Sequence, residues 1–337
     1  MTRRDKDTPQ IWRSTGHGGG DYAYLDDMTD SELAKREEMH KPYLAALAAT
    51  KAHQEAAYRR VAEQEKQDQA NKVKVFLVIG VFFDGTLNNA SNTAAGMMCG
   101  AHHPIKPEDL DASCQPYMAD PDSSYGNDVS NVAKLSELYY APKALQPGEQ
   151  GKLAYRKIYI DGIGSLAGEE DSSLGAGTGR GETGVAGRVQ SAFGAIDRVI
   201  RRIYEQDTNN EITGIIFDTF GFSRGAAAAR HFATEVALGC NGPLKDVLRR
   251  NKPAFSRYFL GEYPLHFKMG FIGLFDTVAA TAGLSNLLNV SSGTTPGLNI
   301  GLPPSDFRDV VQLVARDECR GNFALNRSEE HTSELQS

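Results

Sequence analysis

Ser223 has the clearest potential for nucleophilic chemistry in this sequence, because of the residues that surround it. The mostly strand-forming segment 215–220 leads directly into Gly221-Phe222-Ser223-Arg224-Gly225, and the alanine-rich segment 226–230 that follows favours a helix. The flanking glycines allow a strand and a helix to pack closely against a serine backbone that is strained in such a turn. A serine at the start of a helix also lies beside free backbone N–H groups, which can stabilise an oxyanion. The pattern predicts a nucleophile elbow, with Ser223 as the nucleophile and the N–H of Arg224 as an oxyanion-hole donor.

The second donor of the oxyanion hole is expected in the loop after another buried strand. Residues 73–83 are almost continuously apolar, which predicts a central parallel strand, and Asp84-Gly85-Thr86 follows them. A strand ending in Asp-Gly-Thr also suggests a phosphatase of the haloacid dehalogenase type, but Phe82 occupies the position of the nucleophilic aspartate of that chemistry. We therefore expect the N–H of Gly85, or alternatively that of Thr86, to be the second donor. A plain turn stabilised by the Asp84 side chain is the structural alternative.

A serine nucleophile of this kind needs an acid and a histidine, in the chain order serine, acid, histidine. Asp276 ends a predicted strand and is followed by small residues, so we expect it to be the acid. Asp317 ends the next predicted strand and is the alternative, although its charged neighbours favour a structural salt bridge. His231 lies about 12 Å along the elbow helix and His266 precedes its strand, so neither is expected to be the base.

Composition excludes several classes of function. The 337 residues are 40% hydrophobic with a net charge of −7, which permits a large core and argues against a nucleic-acid binder. No segment is apolar for long enough to span a bilayer, and no secretory signal is expected because no apolar stretch follows the basic N-terminus. The cysteines lack zinc-ligand spacing and the glycine-rich segment 175–187 lacks the Gly-Lys-Ser/Thr of a phosphate-binding loop, so we expect no metal and no cofactor. Free thiols are expected, and a Cys99–Cys114 bridge formed after export is the alternative.

Alternating strand and helix patterns position the candidate residues. Strands are predicted at 73–83, 157–160, 215–220, 267–278 and 310–315, with helices at 131–140, 189–204 and after Ser223. This alternation predicts an α/β-hydrolase-like, doubly wound and mostly parallel sheet, with its chemistry at the carboxyl ends of the strands. Residues 90–127 are expected to form a lid or surface loop.

The two ends of the chain differ from the central domain at 73–326. Residues 1–28 are polar and expected to be poorly ordered, and residues 29–72 predict a helical extension with a thin apolar stripe. Residues 327–337 match the translation of a common sequencing adapter, so natural sequence is expected to stop near Asn326. Without one positive and three negative charges there, the net charge changes from −7 to −5. The catalytic histidine is expected in natural sequence beyond Asn326, which would leave this fragment inactive.

Six segments together resemble the type VI secretion phospholipase effectors, in the first-described class of lipase effectors. They recur in the order of that family over about 75–326: Phe83–Asn89, Asn131–Leu135, Tyr159–Gly164, Gly221–Ala226, Gly273–Val278 and Ala315–Arg320. The resemblance implies a serine-dependent phospholipase A acting on bacterial glycerophospholipids, with the family's serine and aspartate carried by Ser223 and Asp276. It also implies an antibacterial toxin that binds a secretion spike protein and a cognate immunity protein. Such a protein would be cytoplasmic in the producer, leave without a signal peptide, and act at the membrane or in the periplasm of the target cell.

Two other functions remain open on the sequence. The same elbow suits a serine esterase acting on small soluble esters. It could also be vestigial, in an interaction module without catalytic activity.

Overall fold

The structure, a computed structural model, describes residues 72–172, 181–278, 298–302, 306–307 and 309–315. It also describes the backbone at 11–13 and 21–23 and individual residues between 31 and 71. The chain divides into two units, Met1–Asn71 and Lys72–Ser337. In the described part, no helix is long and apolar enough to cross a membrane.

The first unit contains a short hairpin and helical residues. Strand β1 (Ile11–Arg13) pairs antiparallel with β2 (Asp21–Ala23), within the stretch expected to be poorly ordered. Each described residue from 31 to 71 is helical and exposed. That exposure agrees with the thin apolar stripe in this segment.

The second unit is built on a six-stranded sheet. Its strands are β3 (Val73–Phe83), β4 (Gln146–Gly148), β5 (Gly151–Ile160), β6 (Asn210–Phe222), β7 (Phe267–Phe275) and β8 (Val310–Leu313). Its helices are α1 (Ala90–Cys99), α2 (Asn131–Leu138), α3 (Val185–Gln206), α4 (Arg224–Ala237) and α5 (Leu244–Arg250), with 3₁₀ turns at Pro107–Asp109, Pro116–Ala119, Gly239–Asn241 and Lys252–Ala254.

The strands lie in the order β4-β5-β3-β6-β7-β8, and every neighbouring pair except β4 with β5 is parallel. The chain therefore starts its parallel sheet in the middle, at β3, and builds outward on both sides. The order of connection reverses between β3 and β6, which is where open α/β sheets place their ligand sites. This topology, with helices between the strands, confirms the predicted doubly wound, mostly parallel fold.

Strand β3 is central because both of its faces are covered. Alternate residues Val75, Leu77, Ile79, Val81 and Phe83 are fully or almost fully buried in the core that α3 and α4 share with the sheet. On the other face, the ring of Phe82 stacks on Phe220 with centroids 4.9 Å apart and meets Tyr139 edge-on, after α2. Each such buried side chain contributes about 1.5–3 kcal/mol, which explains why the strand is an almost continuous apolar run.

The segment after β3 differs from expectation in two ways. Residues 90–127 were expected to form a loop, but they begin with α1 and contain two 3₁₀ turns. Free thiols were expected, but Cys99 at the end of α1 is bonded to Cys114, with the two Cα atoms 5.6 Å apart. Cys240 is free, and Cys319 lies outside the described residues.

Candidate active site

Ser223 lies at the carboxyl end of β6, in the sharp bend that leads into α4. Its backbone has φ 55° and ψ −123°, a strained conformation for any residue with a Cβ atom. The side chain is partly exposed, and its hydroxyl makes no hydrogen bond with any described residue. The bend therefore presents a free alcohol at the sheet edge, at the N-terminus of a helix.

Both glycines of the elbow are required by close backbone contacts. A Cβ atom on Gly225 would lie 2.3 Å from the carbonyl oxygen of Asp84, because α4 begins directly against the end of β3. A Cβ atom on Gly221 would lie 2.4 Å from the carbonyl oxygen of Gly225. No side chain fits at either position without moving the backbone, so both glycines are needed to form the bend.

Backbone strain is concentrated at this edge of the sheet. In the described part of the chain, the residues other than glycine with positive φ are Leu87 (φ 56°), Ser223 and Asp276 (φ 45°). Each follows a parallel strand of the sheet: β3, β6 and β7. Strained residues of this kind persist where the surrounding structure holds them, and they cluster at functional sites.

Asp276 is the first residue after β7 and is hydrogen-bonded to β8. Its N–H donates to the carbonyl of Leu313 at 2.9 Å, and its Oδ1 accepts the N–H of Ala315. The same segment fixes the elbow, because Ser223 donates its N–H to Phe275 O and accepts the N–H of Val278. Asp276 is partly exposed, so its remaining carboxylate oxygen is available to a histidine. The alternative acid, Asp317, lies outside the described residues.

Asp84 organises the loop after β3. Its carboxylate is 1% exposed and accepts three hydrogen bonds, from Gly85 N (2.8 Å), Ser130 Oγ (2.7 Å) and the Tyr159 hydroxyl (2.6 Å). Burial raises the pKa of Asp84, and these hydrogen bonds oppose that rise. Sequence reasoning did not identify Ser130 or Tyr159 as its partners, because both are remote in the chain. The only local signal is Ser130 in the N-cap position of α2.

The hydrogen bond to Asp84 counts against Gly85 as an oxyanion-hole donor. Its N–H is directed at the Asp84 carboxylate, so the donor preferred from the sequence is occupied in this structure. The N–H of Thr86, the other possibility, has no acceptor among the described residues. The Oγ1 of Thr86 also accepts a hydrogen bond from Arg224 Nε at 2.8 Å. The N–H of Arg224, expected from the sequence to be the first donor, lies in the first turn of α4, where backbone N–H groups lack helical partners.

The two described histidines that follow Ser223 have structural contacts. His231 is buried in α4, where its Nδ1 accepts the N–H of Asn299 at 3.3 Å, and burial lowers its pKa. His266 immediately precedes β7 and contacts the carbonyl of Tyr258 at 3.0 Å, at the amino end of the sheet. Both positions agree with the expectation that neither residue is the base.

In the part of the chain that the structure describes, no group of three or more His, Cys, Asp and Glu residues could hold a metal ion.

The fold and site can be compared with known proteins. No protein-family model matches the sequence, and no curated protein matches it. The chain is similar to a solved structure of the Tle1 effector bound to the VgrG spike from the type 6 secretion system, with 31% identity and a TM-score of 0.51. The match covers 76% of this chain and 48% of that one, so this chain spans about half the length of the matched protein. An uncharacterized protein from Pseudomonas aeruginosa matches at 17% identity and a TM-score of 0.32, over 80% of this chain and 40% of its own.

The similarity to Tle1 confirms the resemblance to the type VI secretion lipase effectors. It also agrees with the α/β-hydrolase-like fold of the second unit.

Proposed function

Since this chain is a relative of the Tle1 effectors of the type VI secretion system, we propose that it carries the catalytic domain of a serine-dependent phospholipase. The observation that carries the proposal is the conformation of Ser223, a free hydroxyl on a strained bend between β6 and α4. In the proposed reaction, Ser223 Oγ attacks the ester carbonyl of a glycerophospholipid while a histidine accepts its proton. The bond from the carbonyl carbon to the glycerol oxygen then breaks, the histidine gives its proton to that oxygen, and water hydrolyses the acyl-serine to release the fatty acid. The N–H groups of Arg224 and Thr86 stabilise the oxyanion, and Asp276 orients the histidine.

The proposed partners are inferred from the similar Tle1 effector. Tle1 is bound to a VgrG spike, and we extend that delivery route to this chain, with a cognate immunity protein protecting the producer. The proposed place of action is the membrane or periplasm of the target cell, where phospholipid is the substrate.

The test uses the full-length gene product and phospholipid vesicles. Wild type should release fatty acid, and Ser223→Ala should lower the rate by about 10⁴-fold or more, because the nucleophile is lost. Ser191→Ala is the matched control, since this exposed serine on α3 bonds only to the carbonyl of Gly187. Hydrolysis that survives Ser223→Ala would refute the proposal.

Two further readouts separate the alternatives. Rapid hydrolysis of short soluble esters with none of vesicles would favour a small-ester esterase. A fluorophosphonate probe should label wild type but not Ser223→Ala. Failure to label the wild-type protein would favour an interaction module with a vestigial elbow.

A further inference from the structure

The side chain of Arg224 connects two parts of the proposed site that are far apart in sequence. Its Nε donates to Thr86 Oγ1 at 2.8 Å, across 138 positions of the chain, and so joins the elbow to the loop after β3. The guanidinium is partly buried, and burial lowers its pKa, but an arginine remains charged at all physiological pH values. A charged group that donates to a hydroxyl where water is partly excluded forms a strong hydrogen bond.

The turn that carries Thr86 has little support of its own. Gly85 O accepts the N–H of Asn88 at 3.0 Å, so Thr86 and Leu87 are its central residues. Leu87 has φ 56° at a position where such turns require glycine or asparagine. A leucine there is strained, so contacts from outside the turn must hold it. Leu87 N–H has such a contact, to Ile163 O at 3.0 Å, and Arg224 supplies the contact to Thr86.

The backbone N–H groups of this turn are otherwise in use. Gly85 donates to Asp84, Leu87 to Ile163 and Asn88 to Gly85. Among these four residues, Thr86 alone has an N–H without an acceptor in the described part of the chain. Partly buried N–H groups are normally paired, so a free one beside a nucleophile elbow suits a developing oxyanion.

We infer that Arg224 acts twice: its backbone N–H is one oxyanion-hole donor, and its side chain positions the other by holding Thr86. The inference rests on the proposed serine hydrolase function and identifies a positioning residue for it. It explains why a long, charged side chain follows the nucleophile directly and is drawn toward the loop after β3 rather than into solvent. Helix α4, which follows Ser223 directly, thereby also holds the loop after β3 in position.

Kinetics on the full-length gene product test the inference, with a soluble ester as substrate. Loss of one oxyanion-hole donor lowers kcat by about 10²–10³-fold, so its displacement in Arg224→Ala or Thr86→Val should lower kcat by about 10–100-fold. KM should change by less than about 3-fold, because the donors bind the transition state and not the ground state. Thr86→Ser keeps the hydroxyl and should stay within about 3-fold of wild type. Arg198→Ala, an exposed arginine on α3, is the matched control and should have no effect.

A double variant distinguishes a shared contact from two separate effects. If Arg224 and Thr86 act through one hydrogen bond, the two substitutions together should lower kcat no further than the stronger one alone. Multiplied effects in the double variant, or single variants with the kcat of wild type, would overturn the inference.

Hydrogen exchange provides a readout that does not need catalysis. In Arg224→Ala, the amide protons of Leu87 and Asn88 should exchange about tenfold faster than in wild type, because the turn loses one of the contacts that hold it. Unchanged exchange would also overturn the inference. A wild-type protein that neither hydrolyses esters nor reacts with a fluorophosphonate would refute the proposed function instead, while exchange would still decide the role of Arg224.

Discussion

The Cys99–Cys114 disulfide allows a quantitative prediction for the stability of the second unit. The bond closes a loop with a sequence separation of 15 residues. In the chain-entropy model, closing a loop of that length removes about 10 cal/mol/K from the unfolded state, or about 3 kcal/mol at 25 °C. Replacing both cysteines by serine should therefore lower the free energy of unfolding by about 3 kcal/mol.

The effect should reach the whole unit because the bridged segment is anchored to the edge of the sheet that carries Ser223. Helix α1 packs so closely on the following segment that a Cβ atom on Gly96 would lie 2.0 Å from the carbonyl oxygen of Tyr125. Two residues later, Asn127 Nδ2 donates to the carbonyl of Leu87 at 2.6 Å, in the turn that carries Thr86. Loosening the bridge should therefore destabilise the loop after β3 as well.

Urea unfolding followed by circular dichroism measures the effect. With an m-value of about 3 kcal/mol/M, the midpoint of Cys99→Ser/Cys114→Ser should fall by about 1 M, and reduced wild type should unfold at the same lower concentration. Cys240→Ser is the control, since Cys240 is the free cysteine of the described part. Equal midpoints for oxidised wild type and the double variant would refute the reasoning.

Other substitutions test the remaining features of the site and its surroundings. Asp84→Asn should destabilise the protein by about 2–4 kcal/mol in chemical unfolding, since an amide nitrogen in place of Oδ2 leaves two partly buried hydroxyl groups without their acceptor; a loss below about 1 kcal/mol would contradict this. Gly225→Ala should prevent soluble expression, because its Cβ would meet backbone at 2.3 Å, whereas Gly194→Ala in α3, whose nearest neighbour is at 3.7 Å, should raise stability by about 0.5–1 kcal/mol. Burial lowers the pKa of His231, so near pH 6.5 the unfolded chain binds more protons and stability is lost as pH falls. His231→Asn, which keeps an acceptor for Asn299 N–H, should flatten that pH dependence. If stability still falls with pH at the same slope, other titratable groups cause the dependence.

The parts of the fold that sequence predicted best are those with two buried faces. Strands β3, β6 and β7 are largely apolar because neighbouring strands and helices cover them. Strand β5 was predicted only from Lys157, although it begins at Gly151, because its first residues are more exposed. Its limits depend on pairing with β3, which no local pattern encodes.

Helix α1 was missed for a related reason. Its sequence has no charged residue and no strong apolar periodicity, and it contains Gly96. The helix depends instead on the Asn89 side chain, which accepts the N–H groups of Ser91 and Asn92, and on packing against Tyr125. The packing against Tyr125 is a tertiary contact, which forms only when the chain has folded and which no local sequence pattern reveals.

At the candidate site, sequence predicted the residues whose chemistry depends on local geometry. Gly-x-Ser-x-Gly can form its bend only with glycine at both ends, so the elbow at Ser223 was recognisable. The choice between Gly85 and Thr86 was not, because it depends on the direction in which the Asp84 side chain points. That direction is set by Ser130 and Tyr159, remote residues that donate to Asp84.

The backbone of Ser223 is held by groups that are synthesised well after it. Its amide bonds to the carbonyl of Phe275 and its carbonyl to the amide of Val278, 52 and 55 positions later. At about 5–20 residues per second, the ribosome needs roughly 3–11 s to add that length. A nascent chain therefore carries an ordinary alcohol during this interval, and any hydrolytic power can arise only when translation has passed the seventh strand.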